Sequence, residues 1–198
     1  MRRKGPNAER VGESRRLEAL ASPLRMEIIG ALRTDGPRSI RELAAQLDKA
    51  ADGLYHHVRM LLKAGILRER EQRKVGRRME AVYELTAERF AGRMDPKSAE
   101  SKAAAIRAGS AAMRLASREF KTAIETDAMT LTKGLPNLRA SRQKTWLTDR
   151  GLLRLHRLLG QIERLLLSES DRKRGRAHSL TIVLAPCRQR RTFQHGSS

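Results

Sequence analysis

The chain has 198 residues, with 42 Lys and Arg against 22 Asp and Glu, a formal net charge of +20 and a pI near 11.4. A charge of that size calls for a polyanionic partner, nucleic acid first, and 39% apolar content in periodic order argues against a disordered chain. Aromatics at 3% are too few for a single-strand binder built on stacking platforms, and a lone cysteine, Cys187, excludes an internal disulfide or a zinc site with two thiols from one chain.

The excess charge is spread along the chain. Residues 1–90 hold 20 basic and 13 acidic side chains (+7), and residues 91–198 hold 22 and 9 (+13). Met1-Arg2-Arg3-Lys4 looks like the start of a secretion signal, but no apolar run follows it between Gly5 and Arg16. Nothing approaches the ~18 consecutive apolar residues of a membrane span. These features predict a cytoplasmic, nucleoid-associated protein with no membrane partner.

In chain order, residues 1–13 read as a flexible basic arm. Leu17, Leu20 and Leu24 mark a short helix interrupted at Ser22-Pro23, where serine can cap and proline can open the next helix. That second helix buries Leu24, Ile28, Ile29 and Leu32, and Thr34-Asp35-Gly36-Pro37 turns the chain. Ser39 and Glu42 have capping-box spacing, so a third helix starts there with Ile40, Leu43 and Leu47 inward. After the polar break Asp48-Lys49-Ala50, a fourth helix over Ala51 to Lys63 turns Leu54, Val58, Leu61 and Leu62 inward. Asp52, Tyr55, His56, Arg59 and Lys63 are left on other faces.

Ile66 to Glu71 and Met79 to Leu85 read as two strands, the second with Met79, Ala81, Tyr83 and Leu85 on one face. The seven residues Gln72 to Arg78 between them contain four cations, Arg73, Lys74, Arg77 and Arg78, and make a wing. Thr86 to Met94 reads as a further helix. Asp95-Pro96 then signals a restart, with Asp95 as cap. An Ala-rich helix to about Asp127 follows, its larger apolar positions being Ile106, Met113, Phe120 and Ile124. Its small face suits close approach of a partner helix. Leu138 to Leu147 is a candidate strand containing a core residue, Trp146. Thr148 can cap a leucine-faced helix through Leu167, which suits a core or dimer interface better than a membrane surface. A charged loop over Ser168 to Ala177 leads to a strand over Ser179 to Ala185 and a basic tail.

The order helix, helix, helix-turn-helix, hairpin resembles the ArsR-type winged helix-turn-helix regulators. Leu20-Ala21-Ser22-Pro23-Leu24-Arg25, Ser39-Ile40-Arg41-Glu42-Leu43-Ala44, Leu54-Tyr55-His56-His57-Val58-Arg59-Met60-Leu61 and Ala64-Gly65-Ile66-Leu67 carry the likeness. The resemblance implies a mainly α fold with a small β-hairpin wing, and groove-facing contacts at Tyr55, His56 and Arg59. Metal sensing is not implied, since Ala44-Ala45-Gln46 holds no thiol where metal-sensing members place a Cys-x-Cys pair. The domains expected are the arm at 1–13 and a winged helix-turn-helix domain at 14–94. A helical or α+β C-terminal domain for dimerisation, and a candidate effector domain, would occupy 95–186, with a basic tail at 187–198.

Function then reads as DNA binding, by a homodimeric repressor. Asp52, Tyr55, His56, Arg59 and Lys63 would face the major groove. Arg73, Lys74, Arg77 and Arg78 would reach phosphates or the minor groove, and Ser39 would add a phosphate contact to its cap. His57 lies between faces and reads as a packing residue. A solvated helix face and a solubilising loop are the bland alternatives. An architectural or RNA-binding platform using charge alone is the rival function. No catalytic constellation, cofactor motif or metal-ligand spacing is present in the sequence, so no enzyme is expected. An unknown small-molecule effector remains a candidate partner.

Overall fold

The computed structural model describes residues 6–87, 94–130, 136–172 and 175–187. Apolar side chains spaced three and four apart in the first third of the chain converge on one core. Ala19, Ile28, Leu32, Leu43, Leu54, Val58, Leu61 and Ile66 are its buried centre. They come from α1 (Pro6–Ala19), α2 (Pro23–Asp35), α3 (Ile40–Leu47), α4 (Ala51–Lys63) and the residue before β2. Each fully buried leucine here contributes roughly 2 kcal/mol of transfer free energy. Helix α1 begins at Pro6, so helical backbone reaches into residues that the sequence assigns to a polar arm.

The joints between these helices follow from local chemistry. Ser22 occupies the cap position of α2 with Pro23 at its first turn, but its hydroxyl makes no cap bond, contrary to expectation. Across the same joint, carbonyls at the end of α1 find a donor in Arg25. This buried guanidinium donates to the carbonyls of Ala19 and, at 2.7 Å, Glu18, the kind of C-terminal partner that an α-helix favours. Gly36, at φ 84, ends α2 with its N–H on Leu32. Asp48 takes the left-handed conformation at φ 52 to turn α3 into α4.

Three antiparallel strands, β1 (Arg38–Ser39), β2 (Leu67–Val75) and β3 (Arg78–Leu85), form a sheet in the order β1-β3-β2. The pairing Val75↔Arg78 leaves a two-residue turn, Gly76-Arg77. Gly76 has φ 61, the positive value that a type II′ turn needs at its first central position. Most of the expected seven-residue loop is therefore strand. A bulge between Glu69 and Glu71 shifts the register. The alternation expected along β3 is also corrected. Val82 is the buried residue, at 2% exposure, and is flanked in the sheet by Ser39 on one side and Glu71 on the other. Tyr83 and Leu85 pack against the main core.

The helix expected over Thr86 to Met94 lies largely outside the described residues. Thr86 and Met94 at its ends are not helical. Asp95 does not cap the next helix. Its carboxylate accepts from Lys97 N–H, and the true cap is Ser98, whose hydroxyl accepts from Ser101 N–H at 3.1 Å. Helix α5 then runs Ala99–Glu125. Its small face, Ser101, Ala104, Ala108 and Ala111, is buried. The helix packs on α1 and α2 of the same chain, held by Arg107–Glu18 and Arg118–Glu27 ion pairs. The small residues thus serve an intrachain contact. Ile106, Met113, Phe120 and Ile124 stay exposed.

Thr148 caps α6 (Asp149–Arg172) by accepting from Gly151 N–H, and the helix continues into the expected loop after Ser168. No strand forms at 138–147 or 179–185. Both stretches are extended or irregular, and an isolated β segment with no neighbouring edge gains no ladder. Trp146 is 82% exposed rather than in a core. Among the described residues the C-terminal half is therefore helical, and the α+β alternative for it drops out. No helix of the described residues is long and apolar enough to cross a membrane.

Candidate nucleic-acid interface

Helix α4 buries Leu54, Val58 and Leu61 and turns the opposite side outward. Asp52, Tyr55, His56, Arg59 and Lys63 are all exposed, Tyr55 by 54%. With 100° between successive residues, 52, 55, 56, 59 and 63 make one continuous stripe about three turns long. Gly65, at φ 66, closes the helix, and Ile66 N–H returns to the Leu61 carbonyl. That closure fixes where β2 leaves, so the wing is attached directly to the end of the polar stripe.

The hairpin sorts its four cations into two groups. Lys74, Arg77 and Arg78 surround the Gly76-Arg77 turn and are exposed. Arg73 points back to the helices, where its Nη2 meets Glu42 Oε1 at 2.8 Å. Its proton is held more firmly than an ordinary guanidinium's, first by that hydrogen bond. Arg73 ties the wing to α3. The sequence could not show this, because the two residues are 31 apart and only their fold joins them. Arg41–Glu80 at 3.7 Å forms a second, looser link between α3 and the sheet, and Glu84 pairs with both Arg68 and Arg70.

Ser39 leaves the candidate contact set. Its capping box is complete, with Oγ accepting Glu42 N–H at 3.3 Å while Glu42 Oε2 accepts Ser39 N–H at 2.8 Å. The residue is 1% exposed, so its hydroxyl is enclosed rather than offered to phosphate. Glu42 therefore serves two partners with its two oxygens. Its carboxyl is held below the usual range, first by the Ser39 N–H and further by Arg73, against an opposing push from partial burial.

His57, as expected, faces inward of the stripe. Its Nδ1 is enclosed without a hydrogen-bond partner among the described residues. Burial first, then Arg25 and His56, push its ring toward the neutral form. The His56 and His57 rings meet edge to face at 5.6 Å. Among the described residues no three His, Cys, Asp or Glu side chains gather as metal ligands would.

A family model described as a helix-turn-helix domain matches residues 20–70, from the end of α1 into β2. The chain carries a helix-turn-helix domain. The match takes in both helices of the motif and the whole exposed stripe, and stops before the wing turn. Such a domain, followed by a wing-like hairpin, suggests a DNA-binding regulator. No curated protein matches the chain.

Proposed function

We propose that the protein is a homodimeric transcription regulator of the ArsR type, acting as a repressor, that reads an operator in duplex DNA. Helix α4 enters the major groove with Tyr55, His56 and Arg59 toward base edges, while Lys74, Arg77 and Arg78 hold the sugar-phosphate backbone. The observation that carries the reading is the α4 stripe, five exposed polar side chains on a helix whose other face is locked into the core. Charge alone would serve an architectural or RNA-binding platform. A specific polar stripe continuous with a cationic hairpin is what base reading needs in addition.

The test is to select bound sequences from random duplex DNA, then titrate the preferred and scrambled duplexes with wild type, Arg59→Ala and Arg77→Ala/Arg78→Ala at several salt concentrations. Arg59→Ala should weaken the preferred site by roughly 1–3 kcal/mol with much less effect on scrambled DNA. The hairpin variant should weaken both evenly and reduce the salt slope by about 0.9 per lost phosphate contact. Equal losses on both duplexes for Arg59→Ala, or none, would transfer the reading to the charged platform.

A further inference from the structure

Helix α6 carries a coiled-coil seam whose apolar middle is left exposed by its own chain. Gly151, Leu155, Leu158, Ile162, Leu165 and Glu169 follow one another four and three residues apart, the spacing that keeps one stripe facing a partner helix. At about 1.5 Å per residue the stripe is roughly 27 Å long. The helix touches α2, yet none of its described side chains is buried. Leu158, Ile162 and Leu165, in the middle of the seam, are 48%, 37% and 60% exposed.

Charge selects the occupant and its direction. The first half of α6 carries Arg150, Arg154 and Arg157 against Asp149. The second half carries Glu163, Glu169 and Asp171 against Arg164 and Arg172. A parallel copy would set Glu169 against Glu169 and Arg154 beside Arg154. An antiparallel copy sets Leu158 against Ile162, Leu155 against Leu165 and Glu169 against Gly151. That last pairing brings the carboxylate beside Arg150 and Arg154, and two-fold symmetry repeats it at the other end. The helix dipoles also oppose in this arrangement. An anionic lipid surface fits less well, because three carboxylates lie in the same helix half.

We propose that α6 pairs antiparallel with α6 of a second copy of this chain, with Leu155, Leu158, Ile162 and Leu165 in the seam and Glu169 against Arg150 and Arg154 at both ends. The proposal rests on the homodimer in the reading above and names its interface.

Sedimentation equilibrium of the full chain tests it, using wild type, Ile162→Lys, Arg154→Glu, Glu169→Arg and the double variant Arg154→Glu/Glu169→Arg. No described α6 side chain is buried, so these changes leave the core intact, which helicity and cooperative unfolding verify. Wild type should be dimeric at micromolar concentration, and Ile162→Lys monomeric. Each charge reversal should weaken the dimer by about fivefold, in the range of exposed ion pairs. The double variant should recover at least about threefold over Glu169→Arg. Positions 154 and 169 are about 22 Å apart along one helix, so recovery can come only from contact between copies.

A dimer that survives Ile162→Lys, or a double variant that recovers nothing, overturns the proposal. So does a monomeric wild type, and one that pellets with phosphatidylserine vesicles would assign the face to a membrane. Binding of a half-site duplex by Ile162→Lys is measured in parallel. If it is retained while dimers are lost, the DNA reading stands on its own. If wild-type dimers bind no duplex, only that reading fails.

Discussion

Replacing Ser39 by alanine tests the joint that sets α3 and, through Glu42, the wing. The substitution removes one hydrogen bond, from Glu42 N–H to Ser39 Oγ, and leaves that amide without its partner at the helix start. The reciprocal bond from Ser39 N–H to the Glu42 carboxylate survives. Cap losses typically cost about 1 kcal/mol and reach about 2, so Ser39→Ala, with half of the box intact, should cost about 1 kcal/mol. Glu42→Ala strips the carboxylate from a buried residue's amide, worth about 1–2 kcal/mol. It also breaks the Arg73 bridge, whose partners are 46% and 39% exposed and which adds at most about 0.5 kcal/mol. Arg73→Ala should cost only that last amount. The order expected in urea unfolding is therefore Glu42→Ala, then Ser39→Ala, then Arg73→Ala, with unchanged m values. The Ser39→Ala/Glu42→Ala pair should fall short of additivity, because each variant already removes part of the same box. If Arg73→Ala costs as much as Glu42→Ala, or the two box variants add in full, the reciprocal cap is not what holds α3.

Two pH dependences follow from the same region. Glu42 is depressed in the folded protein, so its contribution is complete above its unfolded value near 4.5 and is lost as pH falls below it. Thermal midpoints between pH 6 and 3 should fall more steeply for wild type than for Glu42→Gln, and parallel curves would refute the linkage. His57 is also depressed, and a histidine held neutral binds its proton more weakly folded than unfolded. Stability should therefore be complete above about pH 6.5 and decline as pH falls below it. His57→Leu should flatten the decline between pH 6.5 and 5, and should also relieve the unpartnered Nδ1. An unaltered slope in that variant would place the titrating group elsewhere.

The winged half was legible because its signals are local. Ser39 and Glu42 are three residues apart, and the box that their spacing implies is present. The fourth helix runs Ala51–Lys63 with its polar stripe outward, since leucine spacing alone decides which face is buried. What the sequence concealed depends on contacts between distant residues. Arg38 and Ser39 form a third strand only because Tyr83 and Val82 come alongside. Arg73 looked like one more wing cation, and its turn toward Glu42 is set by strand alternation in a hairpin with a shorter turn than composition suggested. Ser22 shows the reverse, a good cap residue at the expected position whose hydroxyl makes no cap bond, with Pro23 opening the helix beside it.

Helix α5 shows why the C-terminal half was harder to read. It has two apolar stripes on opposite sides, one of small residues (Ser101, Ala104, Ala108, Ala111) and one of large residues (Ile106, Met113, Phe120). Periodicity reveals both stripes and ranks neither. By transfer free energy the large stripe should be buried, since each of its side chains would gain more than an alanine. The small stripe wins inside this chain because alanines let α5 approach α1 and α2 closely enough for Arg107 to reach Glu18 and Arg118 to reach Glu27. The large stripe and the α6 seam remain exposed together. Two long helices that keep their best apolar faces outward contribute little to the core of this chain, so apolar periodicity, which reads the buried face of α4 correctly, could not tell which face of α5 or α6 would be covered.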